Sequence, residues 1–184
     1  EYNKEEIFLM IEKFNINCIS VVPKIIFDLF DKIDNKKYFK NLKIVIVGGD
    51  GINEKIFDYF KKNNINAYIS YGMTETSSGI CGYFVHDINN YMQGFLGFPH
   101  KNTYLSINNG HIKIQSKSVM KKYVNNEDCY GIFLSDDLGI KRKNKFFYKS
   151  RSSDFIVSGG ENINLQAIKN VILGLDCNIE MKVE

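Results

Sequence analysis

Several features are scarce or missing in this sequence. Its 184 residues include two prolines and no tryptophan. No apolar run reaches the roughly 18 residues that a membrane-spanning helix needs, so we predict no membrane span. The first residues, from Glu1 to Glu6, are acidic and polar, and we expect no signal peptide.

Cysteines are few and widely spaced. The four of them form no CxxC pair, which argues against a zinc site. Disulfides form in oxidising compartments, and nothing in the sequence points to secretion. We therefore expect buried free thiols in a reducing cytoplasm at Cys18, Cys81, Cys129 and Cys177.

An excess of charge of one sign is also lacking. Lysine and arginine total 24 against 21 aspartates and glutamates, a net charge of +3, and 44% of the residues are hydrophobic. This balance excludes a disordered chain and a dedicated polycation for nucleic acid. The basic runs Lys36-Lys37 and Lys141–Lys145 are typical of a solvated surface, so we predict no nucleic-acid partner.

Helix and strand patterns alternate in the first part of the chain. Helical spacing of apolar residues predicts helices over 4–14, from Pro23, and after Asn53, which can cap the third one. Short apolar runs between them predict strands at 18–22, 42–47 and 67–71. This order predicts an α/β fold, a parallel sheet covered by helices.

After about residue 92 the pattern becomes antiparallel β. Alternating segments at 103–107 and 111–115 flank Asn108-Asn109-Gly110, which predicts a β-hairpin. Further strands are expected near 129–134 and 145–149, and helical spacing resumes from Leu165 to Ile172 behind a possible cap at Asn164.

Two loops follow strands of the predicted sheet, where ligands of open α/β sheets bind. Gly48 and Gly49 follow one strand and would admit a ligand close to the backbone, although a plain turn is as good an explanation. The other loop carries Tyr71, Thr74 and Glu75. An aromatic ring can stack on adenine, a hydroxyl can donate to phosphate, and a carboxylate can hold magnesium. The alternative is a strand-to-loop turn with a surface glutamate.

The segment Tyr71-Gly72-Met73-Thr74-Glu75 resembles the signature of the adenylate-forming superfamily, which includes acyl-CoA synthetases and aryl-CoA ligases. Further motifs resemble those of the superfamily in the same order along the chain. They are Gly94–Pro99 (G-x-x-G-x-P), Asp137-Leu138-Gly139, Arg151–Asp154, and Ser158–Ile163 (SGGENI). The strings YGMTETSS and SGGENI are most similar to the o-succinylbenzoate–CoA ligases of menaquinone biosynthesis.

The resemblance implies ATP or AMP, magnesium, CoA and a small carboxylic acid as ligands, and ligase activity. It implies that Thr74 and Glu75 are catalytic, that Glu75 holds magnesium, that Asp137 accepts from the ribose hydroxyls, and that Arg151 contacts the ribose and phosphate. Without the resemblance, the sequence predicts that Asp137 is an acidic residue in a β-turn and that Arg151 is a surface ion-pair partner. The nucleotide-binding residues it implies are Gly48, Gly49, Tyr71, Gly72, Met73, Thr74, Asp137 and Arg151.

The resemblance also implies a division of the chain. Residues 1–92 would be the later part of a large α/β subdomain, 93–150 an antiparallel β subdomain with a ribose-binding turn, and 151–184 a hinge and the start of a small α+β domain. We find no counterpart of the superfamily's phosphate loop or C-terminal lysine, and expect a partial chain. Asp136, next to Asp137, is a departure that we expect to strain the ribose turn.

Competing functions stay open at this point. One is another acyl-CoA synthetase for fatty or aryl acids, and another is a catalytically incomplete fragment that binds adenine nucleotides. A homo-oligomer also stays open. A dinucleotide-binding oxidoreductase is excluded, because Gly48-Gly49-Asp50-Gly51 lacks the G-x-G-x-x-G spacing.

Overall fold

The computed structural model describes residues 3–30, 42–124, 126–158, 161–164 and 168. The predicted alternation of helix and strand in the first part is confirmed to within about two residues at each boundary. In chain order the elements are α1 (Lys4–Lys13), β1 (Cys18–Val21), α2 (Pro23–Phe30), β2 (Ile44–Val47), α3 (Glu54–Lys62) and β3 (Ala67–Gly72).

Asn53 caps α3 as predicted. Its side-chain Oδ1 accepts a hydrogen bond from the Ile56 amide at 3.0 Å, which satisfies one of the unpaired donors at the helix start. The apolar face of α3 (Ile56, Phe57 and Phe60) is buried in the core beneath the sheet.

The first sheet is mixed rather than purely parallel. Its strand order is β1-β2-β3-β4-β5, with β4 at Gly79–Phe84 and β5 at Phe98–Pro99. Strands β1, β2 and β3 pair in parallel, whereas β4 and β5 are antiparallel to their neighbours. A parallel crossover needs roughly a dozen residues. Only residues 73–78 separate β3 from β4, so β4 has to return antiparallel.

The second sheet is an antiparallel meander of β6 (Thr103–Asn108), β7 (His111–Ser116), β8 (Ile132–Arg142) and β9 (Lys145–Arg151). The hairpin predicted between β6 and β7 is confirmed. Asn109 and Gly110 have φ of 49° and 84°, the left-handed pair that a two-residue hairpin turn requires.

Strand β8 corrects the prediction around Asp137. It spans eleven residues, far beyond the predicted 129–134, so Asp137 lies inside a strand and not in a turn. The strain expected from Asp136 also has no basis. Successive strand residues point to opposite faces, and Asp136 is exposed while Asp137 is buried.

A two-stranded sheet, β10 (Phe155–Ser158) and β11 (Glu161–Asn164), follows. The helix predicted from Leu165 to Ile172 lies outside the described residues, apart from Ile168, which is helical.

Two apolar clusters form the core. One lies between the helices and the first sheet, and the other joins β4 to the second sheet through Ile80, Cys81, Ile112 and Ile114. Cys81 is buried and Cys129 partly so, but Cys18 is exposed, which corrects the expected burial; all three are free thiols, and Cys177 lies outside the described residues. Among the described helices, none has the length and apolarity to cross a membrane.

Candidate nucleotide-binding site

A cavity of about 260 Å³ lies at the carboxyl ends of β2 and β3, where the first sheet meets the second. The loop after β2 (Gly49–Ile52) and the end of β3 (Ile69–Gly72) form one wall. Aromatic side chains, including Tyr83, Tyr91 and Phe95, contribute much of the lining. The second sheet contributes Asp137 and Arg151.

Three predicted site residues meet in this cavity through direct hydrogen bonds. The Tyr71 hydroxyl donates to Oδ2 of Asp137 at 2.7 Å, and Nε of Arg151 donates to Oδ1 at 2.9 Å. Tyr71 and Asp137 are 66 residues apart in sequence and belong to different sheets. Asp137 and Arg151 are cross-strand partners on β8 and β9.

Burial determines the hydrogen bonding of Asp137 and the pKa of Tyr71. Asp137 is 5% exposed, and a carboxylate so enclosed is stable only when hydrogen-bonded or paired. Burial and the neighbouring Asp137 carboxylate raise the pKa of Tyr71 well above its ordinary value. The phenol is therefore protonated at any physiological pH, and it remains a hydrogen-bond donor to Asp137.

Gly72 follows Tyr71 and allows a close approach of two backbone segments. A Cβ at this position would lie 2.1 Å from the Ser78 carbonyl oxygen and 2.6 Å from the Cα of Gly79. The resemblance implied a role for Gly72 beside the ligand. In the structure, the β3–β4 connection itself requires a glycine there.

Residues 73–78 form a tight turn that hydrogen bonds of Thr76 stabilise. Thr76 is fully buried, and its hydroxyl lies 2.8 Å from the Ser78 carbonyl and 3.0 Å from the Met73 carbonyl. The same oxygen accepts from the Met73 amide at 3.1 Å. Sequence reasoning missed this role, because a threonine beside a charged residue in a loop gives no sign that it will be buried.

Glu75 lies on this turn and is held by the connection between β7 and β8. The Tyr123 hydroxyl donates to its Oε1 at 2.6 Å, and the Met120 amide donates to its backbone carbonyl at 2.7 Å. The Tyr123 hydrogen bond is the main reason why the pKa of Glu75 lies below its ordinary value, and the positive charge of Arg151 acts in the same direction. Glu75 is therefore ionised at neutral pH.

The predicted site residues do not all line the cavity. Gly49, Tyr71, Gly72, Asp137 and Arg151 do, whereas Gly48, Met73, Thr74 and Glu75 are not among its lining residues. Tyr123, which donates to Glu75, is not among the predicted site residues.

The donor chemistry around Glu75 fits magnesium. Mg²⁺ prefers hard oxygen ligands and is commonly held by one or two carboxylates, with waters and substrate phosphates completing the shell. Within the described ranges no group of three or more histidine, cysteine or acidic side chains could hold a metal by itself. An ionised Glu75 can supply one oxygen ligand of such a shared site.

A helix-covered sheet with a cavity at its carboxyl edge, combining aromatic walls, a buried carboxylate and an arginine, is typical of a nucleotide-binding α/β domain. The chain belongs to the AMP-binding enzyme family, whose model matches residues 1–124.

Curated relatives extend the match. The chain is 30% identical to the 2-succinylbenzoate–CoA ligase of Bacillus cytotoxicus over 94% of its length. It is 32% identical to the corresponding Listeria innocua protein over 93%. The chain spans about two fifths of these relatives, 39% and 38% respectively.

Solved structures share the fold. An unliganded o-succinylbenzoate CoA synthetase from Bacillus subtilis superposes with a TM-score of 0.80 and 23% identity, over 95% of this chain and 41% of that one. The same synthetase in complex with the acyl-adenylate intermediate gives a TM-score of 0.80 and 23% identity, over 95% and 39%. At this identity the likeness establishes the α/β fold followed by the antiparallel sheet.

Proposed function

We propose that the protein to which these 184 residues belong is an ATP-dependent acid–CoA ligase. In this reaction, a substrate carboxylate attacks the α-phosphorus of ATP and releases pyrophosphate, which leaves an acyl-adenylate. The CoA thiol then displaces AMP and gives a thioester. The family membership and the ligase relatives support the reaction class.

The residues of this chain would act mainly by positioning charged groups. The Tyr71 ring, in the cavity wall, would stack on the adenine. Asp137 would accept from the ribose hydroxyls, and the guanidinium of Arg151 would face the ribose and α-phosphate. The exposed Thr74 would donate to a phosphate oxygen, and Gly48, Gly49, Gly72 and Met73 would shape the backbone around the nucleotide.

Glu75 would hold the magnesium ion, which when bound neutralises charge on the polyphosphate. We further propose that the small unit from residue 151 onward rotates about Ser153 between the two half-reactions. The division at 1–92, 93–150 and 151–184 and a cytoplasmic location belong to the same proposal.

The acid is most simply o-succinylbenzoate, in menaquinone biosynthesis, because the curated relatives bear that name. An aryl or fatty acid is the alternative. The single observation that carries the function is the hydrogen-bonded meeting of Tyr71, Asp137 and Arg151 in one cavity. In the proposed site, a stacking ring, a sugar acceptor and a phosphate-binding cation would lie within reach of one nucleotide.

A coupled pyrophosphate-release assay on the full-length gene product tests the proposal, with o-succinylbenzoate, benzoate and fatty acids compared at equal concentration. We expect CoA- and acid-dependent turnover that is fastest with o-succinylbenzoate. Turnover that is fastest with a fatty or aryl acid would support the alternative substrate. AMP binding without release of pyrophosphate from ATP, whichever acid is supplied, would instead identify a catalytically incomplete nucleotide-binding protein.

A further inference from the structure

The buried Asp137 carboxylate has two protein donors before any ligand is considered. Tyr71 occupies one oxygen at 2.7 Å and Arg151 the other at 2.9 Å. An ionised carboxylate can accept about four hydrogen bonds, two on each oxygen. One acceptor position per oxygen is therefore left, which matches the two adjacent hydroxyls of a ribose.

The two donors, Arg151 and Tyr71, hold the Asp137 carboxylate from different sheets. Arg151 is the cross-strand neighbour of Asp137, so its contact lies within the second sheet. Its side chain is 54% exposed, so solvent competes for its guanidinium. Tyr71 reaches Asp137 from β3 of the first sheet, through a partly buried hydrogen bond. The Tyr71 contact thus fixes the carboxylate relative to the sheet that carries the rest of the nucleotide site.

We propose that Tyr71 has a second role as a positioning residue: its hydroxyl orients the Asp137 carboxylate toward the ribose hydroxyls. The inference rests on the proposed nucleotide site. The Tyr71 side chain then acts on two parts of the nucleotide. Its ring contacts the base, and its hydroxyl orients the Asp137 carboxylate that binds the ribose. Recognition of adenine and of ribose is coupled through a single rigid side chain.

The test is isothermal titration of the full-length gene product with AMP and with 2′,3′-dideoxy-AMP, which lacks both hydroxyls. Hydrogen bonds to a charged group contribute about 1.5–3 kcal/mol each, so the wild-type protein should bind the dideoxy nucleotide at least about tenfold more weakly. Tyr71→Phe keeps the ring. We expect AMP binding about fivefold weaker than in the wild type, with the dideoxy penalty reduced to about threefold or less.

Tyr68→Phe is the matched control. It removes a phenol hydroxyl from the same strand, where that hydroxyl bonds to Nε2 of His100 at 2.7 Å, away from the cavity lining. It should retain the wild-type dideoxy penalty. Thermal melts of each variant check folding. In an Asp137→Asn background, adding Tyr71→Phe should change the dideoxy penalty no further, because the group it orients is already altered.

The possible failures are distinguishable. A dideoxy penalty in Tyr71→Phe equal to or larger than that of the wild type would overturn the positioning role and leave the nucleotide site standing. Equal wild-type affinity for AMP and dideoxy-AMP would overturn the role of Asp137 and the inference with it. An absence of AMP binding by the wild type would overturn the proposed function itself.

Discussion

At the scale of single residues, the site depends on two carboxylates in contrasting environments. Asp137 is almost completely buried and shares its two oxygens between Tyr71 and Arg151. Glu75 lies on a partly exposed turn, with one oxygen bonded to Tyr123. The buried carboxylate suits a fixed contact with neutral hydroxyls, whereas the partly exposed one can share a cation with solvent and substrate phosphates.

Removal of the Glu75 carboxylate tests this division. In Glu75→Ala we expect pyrophosphate release to fall at least about a hundredfold, because an electrostatic contact to developing phosphate charge is lost. The remaining activity should need a higher magnesium concentration. The measurement is the magnesium dependence of the coupled assay, with the exposed Glu127→Ala as control. Unchanged pyrophosphate release in Glu75→Ala would refute the assigned role.

The hydrogen bond from Tyr123 leads to a prediction about the pKa of Glu75. Its hydrogen bond lowers the pKa of Glu75 and raises that of Tyr123 to about 12. A carboxyl group with a lower pKa in the folded protein stabilises the fold above its unfolded pKa, and that contribution is lost as pH falls through the folded pKa. In Tyr123→Phe the pKa of Glu75 should rise toward its ordinary 4.5.

A carbon-detected NMR titration of the Glu75 carboxyl measures this change directly. Tyr130→Phe removes a hydroxyl from a tyrosine that is 87% exposed and should leave the Glu75 midpoint where it is. A Glu75 midpoint in Tyr123→Phe that equals the wild-type value would show that the hydrogen bond is not made in solution.

At the scale of elements, the connection between β3 and β4 depends on Gly72. A Cβ at this position would lie 2.1 and 2.6 Å from backbone atoms, which cannot rotate away as a side chain would. Gly72→Ala should therefore destabilise the protein by at least about 2 kcal/mol. Equilibrium urea unfolding measures this cost.

Gly51→Ala is the matched comparison, because a Cβ there meets nothing within 4 Å. It should change the unfolding free energy by less than about 1 kcal/mol, since an unstrained glycine-to-alanine change mostly restricts the unfolded chain. Similar losses in both variants would mean that the turn tolerates a side chain at Gly72.

The elements that the sequence predicted are those that local patterns encode, and the part it missed depends on pairing with distant strands. The helices and β1–β3 were predictable because apolar spacing and caps are local properties of the sequence. The part of β8 beyond residue 134 was not, because it begins with Ser135, Asp136 and Asp137, polar residues that disfavour strands locally. Pairing with β7 on one side and β9 on the other makes those residues part of a strand.

At the scale of the whole molecule, Phe95 joins the two sheets. It is 5% exposed and packs on Tyr83 of the first sheet and Phe147 of the second, with ring centroids 5.0 and 5.6 Å away. Backbone hydrogen bonds on either side, from the Leu96 amide to Phe146 and from the Tyr148 amide to Gly94, attach this segment to β9. The cavity depends on this junction.

Phe95→Ala should destabilise the protein by about 3–5 kcal/mol, the usual cost of removing a buried phenylalanine side chain. It should also weaken AMP binding, because Phe95 lines the cavity. Phe98 contacts the same ring at 5.7 Å but is 50% exposed, so Phe98→Ala should cost much less. Urea unfolding and AMP titration of both variants test these expectations. Equal losses of stability and of AMP affinity in the two variants would contradict the role of Phe95 in connecting the two sheets.

The sequence by itself determined the family, the alternation of elements in the first part, and the identity of Tyr71, Asp137 and Arg151 as candidates. These depend on local patterns and on motif order, which survive without coordinates. Only the tertiary structure decided that Asp137 lies within a strand, that Tyr71 donates to it, and that Tyr123 holds Glu75. These contacts join residues 48 and 66 positions apart, and such pairings arise from how the two sheets pack.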